Sequence, residues 1–426
     1  MSVTRGLKEI RLDANLRAIF LISMMLATGI LFSPALSSIL NYVAIPSSGT
    51  IATISPLHVD GRYIKDASNN IVILRGVNVG GFSDNPGGTW GGTGLLTYAN
   101  WLSNQAKVTA ELDAIQSWGC NVVRCHYVTQ YWVQNTNSFR TIMYEFAQLC
   151  SQRGIYVILD GYGTYGWFDG AGVHQAVGQD PLPYPPYQTY ANCSAIIADE
   201  TAYKNMMVSM ATTLQNCSNV ILDFWNEAYN PNATLYPTAQ SDYFALVNET
   251  INTIRGNGIN TLLMVQWFYG IGCNIYFPPP APPTSPPPDF YANVLNWVYD
   301  YPLTGSNIVY ETHIYNAFGQ NVTYSEEQQG LTYCWIPYVT NNMSKPLLIG
   351  EIGANVWWTG DNLVAELRTF NYTLQILNSW GIGYTAFFFG INQMYSLITS
   401  YNPSWTPSGA GTVLMKNIAV TPPKLP

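Results

Sequence analysis

The chain has 426 residues, of which only 10% are charged and 14% aromatic, with a formal net charge of −8. Charged residues fall far below the roughly 25% typical of soluble domains. No Lys/Arg cluster occurs along the chain, so nucleic acid finds no electrostatic footing. Thirty tyrosines among polar, uncharged neighbours suit a surface solvated by hydroxyl and amide groups, and neutral partners.

Residues 1–17 carry Arg5, Lys8, Arg11 and Arg17 against Glu9 and Asp13, and an uncharged, mostly apolar run follows from Ala18 to Ile45. Its length suffices to span a bilayer with the basic flank inside. It equally suits a long signal peptide cleaved near "SPALSS", where Ala35 and Ser37 supply small residues. Under either reading, secretion or membrane anchoring at the outer surface, the rest of the chain is extracellular. Seven Asn-x-Ser/Thr acceptors, at Asn192, Asn216, Asn232, Asn248, Asn321, Asn342 and Asn371, agree with export. Seven cysteines lie beyond the apolar run, enough for up to three bridges in an oxidising compartment. There is no C-x-x-C pair and the four histidines are scattered, so no zinc site and no cofactor is expected.

A Ser/Thr/Ile linker occupies residues 46–56, and a single domain is expected over 57–426. It opens with "LHVDGRYIKDASNN", which reads as a small hairpin closing the bottom of the domain. Eight strand candidates come next: "IVILRGVNV", "NVVRCHY", "IYVILD", "VILDFW", "LLMVQW", "IVYETHIY", "PLLIGE" and "GYTAFFF". Several are runs of β-branched and aromatic residues too continuous for a strand with one wet face, as in a parallel sheet. Helical segments lie between them, including "AKVTAELDAIQSWG", "RTIMYEFAQLCSQRG", "DYFALVNETINTIRGNG" and "LVAELRTFNYTLQILNSWG", each ending in Gly. Eight β/α alternations predict an α/β fold, one (β/α)8 TIM barrel. "PPPAPPTSPPP" (278–288) follows the fifth strand and reads as a stiff loop on the barrel's C-terminal face.

In such barrels chemistry sits at the carboxyl ends of the strands. Those ends present Asn78, Arg124 with His126, Asp160 with Tyr162, Asn226 with Glu227, Gln266 with Trp267, His313 with Tyr315, and Glu351. Two glutamates on the fourth and seventh strands face one another across an aromatic cleft, the arrangement that glycosidic bond cleavage needs. Glu227, among Trp225 and Tyr229, suits the protonated acid, because an apolar setting disfavours its anion. Glu351 suits the nucleophile, with Arg124 and His313 as donors that keep it ionised. Asn226 is placed to hydrogen-bond a sugar 2-hydroxyl.

Together these motifs resemble glycoside hydrolase family 5, retaining (β/α)8 enzymes, over roughly residues 57–400. "LRGVNVGG" resembles the family's first strand, "NVVRCHY" its second with Arg124, and "ILDFWNEAYN" its fourth. "YETHIYNAF" resembles the sixth strand, with His313 and Tyr315 as the His-x-Tyr pair, and "LLIGEIGA" the seventh. The resemblance implies Glu227 as acid/base, Asn226 as its neighbour, Glu351 as nucleophile and a β-linked polysaccharide as partner. Tyr162 stands where the family usually has histidine, and Phe388 or Phe389 where a tryptophan usually floors the subsite of the cleaved sugar. Trp357 and Trp358 are expected to take over part of that platform, and Trp90, Trp132, Trp167 and Trp267 to line the catalytic face, with about half of these loop tryptophans touching sugar. Trp118 and Trp380, at helix ends, are expected to be packing residues. An endo-β-1,4-glucanase is the expected activity. A β-mannanase, an exo-glucanase or a non-catalytic carbohydrate-binding surface protein are the alternatives. Low charge further predicts activity in acid, since titration of native carboxylate pairs drives acid unfolding.

Overall fold

The apolar runs of the sequence become ten strands that form a hairpin and a closed barrel. The computed structural model describes residues 54–82, 98–128, 132, 136–162, 180–181, 200–226, 228–229, 239–266, 295, 297–315, 321–401 and 404–420. The N-terminal apolar segment, most of the linker and the Pro-rich loop lie outside these residues, as do Trp90, Trp167, Glu227 and Trp267. Among the described residues no helix is long and apolar enough to cross a membrane.

In chain order the strands are β1 (Leu57–Asp60), β2 (Tyr63–Asp66), β3 (Arg75–Phe82), β4 (Val122–Val128), β5 (Tyr156–Tyr162), β6 (Asp180–Pro181), β7 (Val220–Asp223), β8 (Ala228–Tyr229), β9 (Leu262–Val265), β10 (Ile308–Tyr315), β11 (Leu347–Gly353) and β12 (Gly383–Ala386). β3, β4, β5, β7, β9, β10, β11 and β12 close into a parallel barrel, each of the eight matching one sequence-predicted run. β6 and β8 form a separate two-residue parallel pair. The longer helices are α1 (Tyr98–Ser117), α2 (Thr136–Ser151), α3 (Glu200–Leu214), α4 (Ala239–Gly256), α5 (Tyr324–Tyr333), α6 (Gly360–Trp380) and α7 (Gly409–Ile418). α6 buries Phe370, Leu374 and Leu377, a stripe at helical spacing, and ends at Gly381, whose φ of 71° supplies the left-handed cap.

Strand alternation sorts the side chains into two layers. Val220 and Leu222 of β7 pack outward into the core shared with the helices, whereas Ile221 points into the barrel. The interior floor is Leu74, Val122, Tyr156, Ile158, Ile221, Leu262, Met264, Val309 and Leu348, and Leu57 and Ile64 of the hairpin plug it from below. Further along these strands the same inward face turns polar: Asn78, Arg124, Asp160, Asp223, Gln266 and Glu311. All six are fully buried. A barrel interior ordinarily fills with branched aliphatic side chains, so the charges of this polar storey must balance one another.

The cysteines correct one expectation. Cys120, Cys125, Cys150 and Cys217 are buried free thiols, and Cys334 is disulfide-bonded, so the chain has room for one internal bridge rather than three.

Candidate active site

Arg124 organises the site. Its strand register sets Arg124 beside Asn78 of β3, and His126 beside Asp160 of β5. Nε and Nη2 of Arg124 both donate to Asp223 Oδ2, at 3.1 and 3.0 Å. Nη1 donates to Glu351 Oε1 at 2.9 Å and to Asn78 Oδ1 at 3.2 Å. Nη2 also donates to Asn226 Oδ1 at 3.1 Å and lies 3.0 Å from Asp160 Oδ1 and 3.4 Å from Glu311 Oε1. One planar guanidinium thus serves four carboxyl groups and two carboxamides, a task that only its fixed fork of donors can perform. Asn78 completes the frame by donating to the carbonyls of Gly350 and Thr385 at 2.9 and 3.0 Å, tying β3 to β11 and β12.

Glu351 reaches the barrel interior through an irregularity. Leu348 points inward, so strict alternation would bring Gly350 inward and send Glu351 outward. The pairing of β10 with β11 shifts register between Thr312 and His313, and His313 then faces Glu351. That bulge turns Glu351 into the site. Its Oε1 takes the Arg124 bond, and its Oε2 accepts the Tyr315 hydroxyl at 2.6 Å. His313 Nδ1 is 3.6 Å from Oε2, and His126 Nε2 is 3.8 Å from Oε1. Both contacts are too long for hydrogen bonds.

Burial decides the protonation of the two histidines. His126 is lowered to about 4, first by loss of solvent and then by the Arg124 charge. The same two causes hold His313 well below the usual imidazole range. Each neutral ring lies against a carboxyl group: His126 Nδ1 is 2.7 Å from Asp160 Oδ2, and His313 Nε2 is 3.2 Å from Glu311 Oε1. The buried acids move the other way. Burial pushes Asp160 up to about 6 and Asp223 up to about 7, against the pull of Arg124. Burial also holds Glu311 well above the ordinary carboxyl range.

The structure therefore brings Arg124, Asn226, His126, His313, Tyr315 and Glu351 into one cluster, buried except for the half-buried Tyr315. Glu227 and Trp267 lie outside the described residues. Tyr162 ends β5, in register with Val128 of β4. Trp357 is 63% exposed and borders a cavity of about 360 Å³ walled in part by Val356, Asn392, Gln393 and Thr399. Trp358, beside it, is half-buried.

Three aromatic expectations need correction. Phe388 and Phe389 are fully buried, with Phe389 packed edge-on to Trp118 and stacked on Trp405, so neither offers a face to a ligand. Half-buried Phe387 lies in the site instead, its ring 6.0 Å from that of His126. Tyr395 extends this wall, 4.7 Å from Tyr315 and 6.4 Å from Phe387. The peptide bond between Phe387 and Phe388 is cis. Trp132 is also a core residue, buried against Phe139 and under the Arg140 guanidinium. Trp118 and Trp380 pack against the core, as expected. Sequence reasoning overlooked Asp223, Glu311, Phe387 and Tyr395. The signal for the two acids was their parity with inward-facing residues of the same strands.

Residues 75–393 match the family described as cellulase (glycosyl hydrolase family 5). No curated protein matches in sequence. Among solved structures, the chain is similar to the β-glucanase SdGluc5_26A from Saccharophagus degradans, with a TM-score of 0.62 and 16% identity, covering 89% of this chain and 98% of that one. It is also similar to the catalytic domain of Thermobifida fusca endoglucanase Cel5A, with a TM-score of 0.55, 16% identity and coverage of 85% and 97%. For the catalytic domain of a mannanase from Streptomyces sp. SirexAA-E the TM-score is 0.53, with 17% identity and coverage of 88% and 94%. At these identities the likeness is one of fold.

Proposed function

Because the chain belongs to glycosyl hydrolase family 5 and is a glycoside hydrolase, we propose that it is a retaining, endo-acting β-glycosidase that cleaves β-1,4-linked glucan. Glu351 is its nucleophile and Glu227 its acid/base. The observation that carries this reading is the pair of bonds to Glu351, Arg124 on one oxygen and Tyr315 on the other. Together the two donors fix the plane of the carboxyl group, which is what a nucleophile aimed at an anomeric carbon requires.

In the first step a Glu351 oxygen attacks the anomeric carbon while the Glu227 carboxyl gives its proton to the departing glycosidic oxygen. In the second, Glu227 takes a proton from water as that water displaces Glu351. Asn226 turns its carbonyl oxygen to Arg124, leaving the amide N–H side of the group for the sugar 2-hydroxyl. Phe387 supplies an apolar ring beside the reacting sugar. Trp357 offers a stacking platform further out. The Saccharophagus degradans β-glucanase, solved with cellotetraose, shares this fold at a TM-score of 0.61, against 0.53 for a Streptomyces thermolilacinus β-mannanase solved with mannohexaose. Glucan is the first substrate to test and mannan the second. The apolar N-terminal segment supports a site of action outside the cell, with the enzyme secreted or membrane-anchored.

Reducing-end release from carboxymethylcellulose, barley β-glucan, glucomannan and galactomannan tests the proposal, with Glu227→Gln and Glu351→Gln beside the wild type. Release from the glucans by the wild type alone is expected. Release only from the mannans would replace the glucan assignment, and release unaffected by either substitution would overturn the assigned carboxylates.

A further inference from the structure

Asp223 of β7 and Glu311 of β10 meet in the barrel interior, on either side of β9 and beneath Glu351. Both are fully buried. Both reach the same nitrogen of Arg124, Asp223 Oδ2 lying 3.0 Å and Glu311 Oε1 3.4 Å from Nη2. Two buried carboxyl groups that share one guanidinium nitrogen resist ionising together, because each anion disfavours the other. Among the described residues Asp223 Oδ1 and Glu311 Oε2 accept no hydrogen bond, whereas Asp223 Oδ2 takes two bonds from Arg124 and one from Gln266 Nε2 at 3.3 Å. One proton held between the two carboxyls satisfies the remaining oxygens.

We propose that Asp223 and Glu311 are a proton-sharing pair of positioning residues that aims Arg124 and His313 at Glu351. The inference rests on the reading of Glu351 as nucleophile. Asp223 grips the Nε/Nη2 edge of Arg124, which fixes the guanidinium plane and directs Nη1 at Glu351. Glu311 Oε1 lies 3.2 Å from His313 Nε2, which sets the ring whose Nδ1 faces Glu351. Charge explains the proton. Asp160, Asp223, Glu311 and Glu351 surround one permanent cation, and full ionisation would leave a net charge of about −3 in a dry site, which burial forbids. Among the described residues no group of His, Cys, Asp and Glu has a geometry fit for a metal ion.

The other groups facing the pair agree. Arg124, neutral His126 and Tyr127 come from β4, Asp160 from β5, His313 from β10 and Glu351 from β11. Tyr203 of α3 and Tyr243 of α4 approach from behind, their phenols held well above the ordinary range by burial and by these acids. Asp160 joins the same guanidinium, its Oδ1 3.0 Å from Nη2. Among the described residues Arg124 is thus the one cation in the cluster, and it cannot neutralise a second buried anion from the pair once the shared proton leaves.

An acid whose folded pKa is raised binds more protons folded than unfolded, so stability falls as pH rises from the unfolded value to the folded one. Histidines of the unfolded chain are mostly neutral above about pH 7, so above that pH the pair's proton and the buried thiols, whose values are also raised, lower stability together as pH rises. Thermal unfolding without substrate should show the wild-type Tm falling from about pH 7 to about pH 8, and Glu311→Gln should flatten that fall. In the polymer assay, Glu311→Gln should lower kcat by about 10-fold with little change in KM, because Arg124 and His313 are then less firmly aimed at Glu351. A folded Glu311→Gln variant whose Tm falls across that window as steeply as the wild type's, or whose kcat is unchanged, overturns the proposal. If that variant does not fold, a wild-type Tm that is flat or rising across the same window overturns it. Failure to release sugar from any polymer would defeat the proposed function, while the substrate-free Tm profile would still decide the pair.

Discussion

Gly350 makes the space that Glu311 occupies: a Cβ at Gly350 would stand 1.4 Å from Glu311 Oε1 and 2.4 Å from its Cδ. The nucleophile's own neighbour is therefore a notch for the buried acid on the next strand. Gly350→Ala must drive Glu311 off His313 and Arg124. Overpacking of this kind costs about 1–3 kcal/mol, and denaturant unfolding should show a loss of that size together with a fall in kcat. A variant as stable and as active as the wild type would mean that Glu311 has a second resting place.

Tyr315 binds the Glu351 oxygen that Arg124 does not reach. A hydrogen bond to a charged group contributes about 1.5–3 kcal/mol. If it holds the carboxylate in its attacking geometry, Tyr315→Phe should lower kcat by about 10–100-fold, the same energy expressed as a rate, with little change in Tm. Steady-state kinetics on the preferred polymer decide the matter, and a change confined to KM would reassign Tyr315 to substrate binding.

Much of the barrel was legible in the sequence, because a strand buried on both faces reads as a continuous apolar run and each of the eight runs became a barrel strand. The hairpin plug was legible for a related reason: Leu57 and Ile64 are the apolar residues that alternate onto the floor. Helix starts were less legible. α1 begins at Tyr98, well before the segment that reads as helical, because "YANWLSNQ" is polar and carries little apolar periodicity. Strand ends pointed to Arg124, His126, His313, Tyr315 and Glu351. Asp223 and Glu311 sit below those ends, and only their parity with Ile221 and Val309 betrays that they face inward. The bulge that turns Glu351 inward has no sequence mark beyond Gly350.

The three phenylalanines at the end of β12 show where alternation fails to predict. Phe387 lines the site, while Phe388 is fully buried. Phe387→Ala should lower kcat/KM by about 10-fold, the scale of a lost aromatic contact, and leave Tm nearly unchanged. Phe388→Ala should instead cost about 3–5 kcal/mol of stability as a core cavity. Measuring both quantities for both variants separates the two roles, and the reverse pattern would restore Phe388 as the sugar platform.

The free thiols should be inert in the folded enzyme. Burial pushes Cys120 and Cys217 up to about 12, and raises Cys125 and Cys150 further. The thiolate is the reactive form, so a disulfide reagent at neutral pH should leave all four unmodified until denaturant exposes them. Rapid labelling of any of them in the native state, read by mass spectrometry, would show that its helix or strand opens easily.

On the acid side the buried groups oppose one another. His126 is lowered to about 4 and His313 is held well below the usual imidazole range, so each binds fewer protons folded than unfolded, and its contribution to stability is lost as pH falls below about 6.5. Asp160, Asp223 and Glu311 have raised values, and their contribution grows as pH falls toward about 4. The two trends offset, and with only 10% of the chain charged Tm should change little between about pH 4 and pH 6. His126→Gln removes one histidine from this balance, so its Tm should rise as pH falls through the same window. A wild-type Tm that drops steeply there would mean that carboxylate pairs outside the barrel interior govern acid unfolding.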